Sequence, residues 1–146
     1  MNLNNKTVII TGASSGIGKS CAEQFAQKGA NIVLAARQYA ALSTIKEDLE
    51  KRFGIKAIAV QCDVSKENEC AHLINEAVQA FKGIDILVNN AGISMRALFK
   101  DLDLVVLRNL MDVNFWGMVY CTKYALPHLL KSKGSVIGIS SVAGYH

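Results

Sequence analysis

The stretch Thr11-Gly12-Ala13-Ser14-Ser15-Gly16-Ile17-Gly18, directly after the apolar run Thr7-Val8-Ile9-Ile10, limits what this chain can fold into more than any other feature. A strand leads in. A helix leads out, because Ile17, Cys21, Ala22, Phe25 and Ala26 recur on one helical face that can pack on a sheet. Gly12, Gly16 and Gly18 lack a Cβ, so the backbone there can take positive φ and let a phosphate approach the amides that open the helix. The turn therefore reads as an anion seat and as the first β-α unit of a dinucleotide-binding fold. A plain tight strand-to-helix turn would show the same local pattern, so the rest of the chain has to decide.

Beyond the turn, strand-length apolar runs alternate with helical periodicity without any break in composition. Strands are expected at 31–36, 56–62, 84–88 and 135–139. A helix carrying Leu42, Ile45, Leu49 and Phe53 on one face closes at Gly54. A second, with Cys70, Leu73, Ile74, Ala77, Val78 and Phe81 inward, takes Ser65 as its cap, Glu67 and Glu69 in its first turn and Gly83 at its end. Residues 103–130 are helical as two helices or one bent one, with Pro127 expected to kink or thin the end. Phe115, Trp116, Met118, Val119, Tyr120 and Tyr124 leave little of that run polar, so one face packs on the sheet and the other wants a second subunit. Five strands joined by long crossovers give an α/β doubly wound parallel sheet of order 3-2-1-4-5, with a ligand at the switch point beyond strands one and four.

Composition narrows the function. The 146 residues are 51% hydrophobic with one Pro and 19% charged residues, which supplies a core and argues against disorder. No apolar run approaches the ~18 to 20 residues of a membrane helix, and the opening Met-Asn-Leu-Asn-Asn-Lys has no signal-peptide core, so a soluble, cytoplasmic protein without a membrane partner is expected. Cys21, Cys62, Cys70 and Cys121 include no Cys-x-x-Cys pair, and His72, His128 and His146 stand far apart. Reduced, mostly buried thiols are expected and no metal site. The net charge of +4 is spread along the chain, which suits an anionic small ligand better than nucleic acid.

Thr11 to Gly18, Cys62-Asp63-Val64, Asn89-Asn90-Ala91-Gly92, Asn114 and Ile139-Ser140-Ser141 follow one another on the expected strand ends. Together they resemble the short-chain dehydrogenase/reductase family over essentially the whole chain. The wording Met111-Asp112-Val113-Asn114-Phe115-Trp116-Gly117 is similar to the branch containing the 11-beta-hydroxysteroid dehydrogenases and the dehydrogenase/reductase member 7 group.

The resemblance implies roles. Gly12, Ser14, Ser15, Gly16, Ile17 and Gly18 would hold the pyrophosphate and adenosine side of a dinucleotide. Asp63 would accept from the adenine amino group with Val64 beside the ring, where local sequence alone allows a plain turn carboxylate. Asn90, Ala91 and Gly92 would border the ribose, or simply end a strand. In an NAD reader an acidic residue about 20 positions past the glycine turn takes the ribose 2′-hydroxyl, but here Ala36-Arg37-Gln38 offers a guanidinium to a 2′-phosphate. That favours NADP (NADPH), although an Arg after a strand is also an ordinary surface residue, and Ser15 departs from the basic residue common beside Gly16 in NADP-preferring members. Ser141 matches the catalytic serine that hydrogen-bonds a substrate carbonyl, and Asn114 the helix Asn that supports a proton-relay water. Without the family, each reads as a locally satisfied polar residue.

Members of the family carry Tyr-x-x-x-Lys beyond the serine, the Tyr as general acid/base. This sequence ends five residues after Ser141, Tyr145 lies too close to it, and Tyr120 and Tyr124 have no Lys four residues later. Residues 1–146 are therefore expected to be a dinucleotide-binding Rossmann domain forming the amino-terminal part of a longer domain, inactive by itself, with Val136 or Ile137 left uncovered. The expected function is hydride transfer between NADP(H) and a small-molecule carbonyl or alcohol by a homo-dimer or homo-tetramer. A non-catalytic NADP(H)-binding or regulatory module is the alternative. The loop Ile93 to Asp101, with Met95, Arg96, Leu98 and Phe99, is the local contributor to substrate choice, and its apolar character points to a lipophilic carbonyl.

Overall fold

In the computed structural model, which describes residues 2–141, five parallel strands alternate with helices in chain order. The elements are β1 (Thr7–Thr11), α1 (Gly16–Gln27), β2 (Asn31–Ala36), α2 (Tyr39–Phe53), β3 (Ala57–Gln61), α3 (Glu67–Phe81), β4 (Ile86–Asn89), α4 (Leu104–Met111), α5 (Gly117–Ser132) and β5 (Ser135–Gly138). The sheet order is β3-β2-β1-β4-β5, as expected, and the order reverses between β1 and β4. Register pairs Ile9 with Val33 on one side and with Leu87 on the other, so three apolar strands lie side by side at the centre.

Alternation along the strands divides the core in two. Val8, Ile10, Ile32, Leu34 and Ala36 face α1 and α2, packing against Ala22, Ala26, Leu42, Ile45 and Leu49. Ile9, Val33, Ala35, Val60 and Leu87 face α3 and α5, packing against Leu73, Ile74, Ala77, Cys121, Ala125 and Leu129. Both faces of the inner strands are buried, which is why these strands read as continuous apolar runs. Cys62, Cys70 and Cys121 are buried, Cys21 is half-buried, and all four are free thiols.

Several local expectations are corrected. Ser65 does not cap α3: Lys66 holds the cap position without a side-chain bond, and the Ser65 hydroxyl donates instead to Asp63 Oδ1 at 2.7 Å. α3 ends on Lys82 in the left-handed region at φ 65, one residue before the glycine expected to do so, whereas α2 does end on Gly54 at φ 66. The long helical run is α4 and α5 joined by a π turn, Asp112–Trp116. α5 continues through Pro127 to Ser132. At the sheet edge β5 is exposed along its whole length, with Val136 at 45% and Ile137 at 37%. No helix among the described residues is long and apolar enough to cross a membrane.

Candidate functional site

The carboxyl ends of β1 and β4 separate around a cleft, and the residues between them are locked by side chains that leave backbone facing outward. Thr11 Oγ1 accepts from the amides of Asn90 and Ala91, both at 3.0 Å, and donates to the Val88 carbonyl at 3.4 Å. Asn90 Nδ2 donates back to the carbonyls of Thr11 at 2.9 Å and Gly12 at 3.2 Å. Two loops are thereby held at one fixed separation. Gly12, at φ +65, has no room for a side chain: a Cβ would stand 2.9 Å from Ala91 Cα. Gly18 lies behind the turn, where a Cβ would run into the Gly12 carbonyl, so it closes α1 onto β1 and does not line the cleft. Gly16, at φ +53, has nothing within 4 Å of a Cβ position. Ser15 caps α1 in extended conformation without a side-chain bond, and the first turn holds no acidic residue. The opening amides of α1 thus meet an open, non-acidic seat of the kind that receives phosphate.

One lobe of the cleft runs from this seat to the ends of β2 and β3 and is lined by Gly12, Ser14, Ser15, Gly16, Ile17, Arg37, Asp63, Val64, Asn90, Ala91 and Gly92. Sequence reasoning named each of these; Gln38, Cys62 and Val113, which also line the lobe, stood inside the quoted motifs but were given no role in a site. Asp63 Oδ1 accepts from both the amide and the hydroxyl of Ser65, at 3.1 and 2.7 Å. Burial pushes the Asp63 carboxyl up, but the two Ser65 bonds, with Lys66 and Arg37 nearby, outweigh it and hold the group below the usual carboxylate range. It is an ionised acceptor at neutral pH. Beside it Cys62 is pushed far up, by its bond with Cys70 and by burial, and stays a neutral thiol.

A second lobe adjoins the first through Val64, Asn90, Ala91 and Gly92 and carries Asn114, Gly117, Met118, Ser140 and Ser141. Asn114 sits in the π turn and spans the gap to the β4 loop, accepting from the Ile93 amide and donating to the Ile93 carbonyl, each at 2.8 Å. One amide hydrogen and the amide oxygen are thus engaged with backbone, an arrangement its sequence position does not reveal. Gly117 lets α5 press on the other side of the cleft, where a Cβ would stand 2.7 Å from Val64 Cγ2. Tyr120 and Tyr124 line neither lobe, and Tyr124 donates to Glu67 Oε1 at 2.7 Å. Tyr145 lies outside the described residues.

A doubly wound sheet with a glycine turn at its switch point, flanked by an ionised carboxylate and an Asn-Ser lobe, defines a Rossmann-like class of protein, and comparison with known proteins places it in a family. The family model for short chain dehydrogenases matches residues 6–146, and the chain belongs to that family. It is 44% identical to 11-beta-hydroxysteroid dehydrogenase A of Arachis hypogaea over 142 residues, 97% of this chain and 41% of that protein. It is 41% identical to 11-beta-hydroxysteroid dehydrogenase-like 2 of Arabidopsis thaliana over 141 residues, 96% of this chain and 46% of that one. Among solved structures, L-sorbose reductase from Gluconobacter frateurii, complexed with NADPH and L-sorbose, superposes with a TM-score of 0.95 at 30% identity, covering 99% of this chain and 55% of the reductase. An alcohol dehydrogenase from Thermococcus sibiricus, complexed with 5-hydroxy-NADP, gives 0.89 at 28% identity, with 91% and 57% covered. The chain spans less than half the length of these two curated relatives.

Proposed function

We propose that this chain carries the NADP(H)-binding part of an oxidoreductase that moves a hydride between that cofactor and a carbonyl or alcohol substrate. The supporting observation is one continuous cleft with an open glycine turn at its middle, Arg37 and Asp63 in one lobe and Asn114 and Ser141 in the other. The donor set fits the cofactor: amides at a helix start without a side-chain cap for pyrophosphate, a guanidinium for a 2′-phosphate and an ionised carboxylate for an amino group. NADPH, when bound, supplies the hydride.

In this reading Gly12, Ser14, Ser15, Gly16 and Ile17 bind the pyrophosphate side, Arg37 takes the 2′-phosphate, Asp63 accepts from adenine with Val64 against the ring, and Asn90, Ala91 and Gly92 border the ribose. Ser141 holds the substrate oxygen by its hydroxyl. Asn114 keeps the β4 loop and the π turn together and supports a proton-relay water. Exposed Leu98 and Phe99, with Met95, offer a lipophilic substrate an apolar loop, and the names of the curated relatives point the same way. We place the protein in the cytoplasm as a homo-dimer or homo-tetramer.

Replacing Arg37 tests the reading. Arg37→Ala should weaken NADPH binding by ~1.5 to 3 kcal/mol, the range of a charge-assisted hydrogen bond, and leave NADH binding nearly unchanged in a fluorescence titration. Equal losses for both cofactors would sink it.

A further inference from the structure

The turn that presents Asp63 and Val64 to the cleft is anchored from behind. The Asp63 amide donates to Glu69 Oε2 at 2.7 Å, and Glu69 Oε1 pairs with Lys66 Nζ at 3.1 Å. Glu69 is the third residue of α3 and reaches back past the start of its own helix, as the acid of a capping box does, yet its partner lies on the turn and not at the cap position. It lines neither lobe of the cleft. The bond from the Asp63 amide, reinforced by Lys66, holds the Glu69 carboxyl below its ordinary range, so the acceptor is charged and the bond charge-assisted. Ser65 occupies Asp63 Oδ1 with two donors, its amide and its hydroxyl. The peptide of Asp63 is thus fixed by Glu69 and one carboxylate oxygen by Ser65, which leaves Oδ2 as the oxygen available to a ligand.

We propose that Glu69 is a positioning residue for nucleobase recognition: by fixing the Asp63 peptide it aims the Asp63 carboxylate at the amino group of an adenine ring. This rests on the NADP(H) reading above. A carboxylate aimed by two fixed bonds loses little freedom on meeting its donor, whereas the same carboxylate on a loosened turn must first be ordered. Glu69 therefore acts on the base end of the dinucleotide, above all on its amino nitrogen.

A ligand pair isolates that atom. NADPH and its purine analogue differ only in that the ring amino group is replaced by hydrogen, so the ratio of their affinities reads the contact to that amino group. In the full chain, titrated by reduced-nicotinamide fluorescence, NADPH should bind about 10- to 100-fold tighter than the analogue, the value of a hydrogen bond to a charged group. Asp63→Ala should bring the ratio close to one. Glu69→Asp keeps a negative charge at the start of α3 but withdraws the oxygen from the Asp63 amide; it should cut the ratio about 5-fold, chiefly through NADPH. Glu69→Gln keeps an acceptor at the right reach and should hold the ratio within about 3-fold of the parent. If Glu69 only supports α3, Glu69→Asp will weaken both ligands equally and the inference is overturned. A ratio that Asp63→Ala removes and neither Glu69 variant moves overturns it as well, with the adenine role of Asp63 intact. A parent ratio near one overturns that role and this inference together.

Discussion

Gly12 and Gly16 share a left-handed backbone but face different surroundings, which separates folding from binding at single residues. At Gly12, φ +65, an added Cβ meets Ala91 Cα and Asn90 Nδ2, both at 2.9 Å, in the most heavily hydrogen-bonded part of the cleft. Gly12→Ala should therefore cost roughly 2 to 5 kcal/mol of stability, the sum of left-handed strain and overpacking. At Gly16, φ +53, the space is open, and Gly16→Ala should cost only the strain, about 1 to 2 kcal/mol. The same methyl would stand where a phosphate is expected, so NADPH affinity should fall more than stability does. Denaturant unfolding and cofactor titration of both variants check this, and unchanged NADPH affinity in Gly16→Ala would contradict the phosphate seat. Both glycines were legible in the sequence because a residue without Cβ takes such a backbone without strain. The engagement of Asn114 with Ile93 was not, since its partner is a backbone 21 residues away.

Helix ends show the same division at the level of elements. α2 stops on Gly54 and α3 on Lys82, at almost the same φ of 66 and 65, but only the first has the residue that takes this conformation without strain. Lys82→Gly should stabilise the protein by about 1 kcal/mol, less what is lost with the exposed bond from Lys82 Nζ to the Gln79 carbonyl. Gly54→Ala should destabilise it by about as much. Paired urea titrations measure both, and a destabilised Lys82→Gly would count against the strain argument. The π turn between α4 and α5 belongs here too. Apolar periodicity reported a long helix and allowed a bend, but the extra residue that forms the bulge is placed by tertiary contact: Asn114 must reach Ile93 while Gly117 packs against Val64.

For the whole molecule the decisive quantity is apolar surface without cover. α5 buries Gly117, Cys121, Ala125 and Leu129 against the sheet, and the π turn before it leaves Phe115 and Trp116 at 49% and 43% exposure. Trp116 stacks with Tyr120 at 5.8 Å and meets Phe115 edge-on at 5.4 Å, so these rings form one patch and not scattered exposures. Self-association through this patch is expected at micromolar concentration. Phe115→Glu should shift the protein toward monomer in light scattering without altering its circular dichroism, and a parent that is monomeric throughout would contradict the expectation.

Strand number and sheet order were determined by the sequence alone, because apolar period and glycine turns are local properties, whereas the residues of the first lobe beyond the glycine turn were legible only through the resemblance to a family. Ser65 shows where that reading stops. Its type and position suit a helix cap, but α3 starts one residue further on with Lys66 at the cap position, and the Ser65 hydroxyl donates back to the charged Asp63 Oδ1 at 2.7 Å. The anchoring of Asp63 by Glu69, the clamp of Thr11 on Asn90 and the joining of two lobes through Val64 and Gly92 were decided by tertiary structure, since each depends on which groups the fold brings within bonding distance and not on what any one segment prefers.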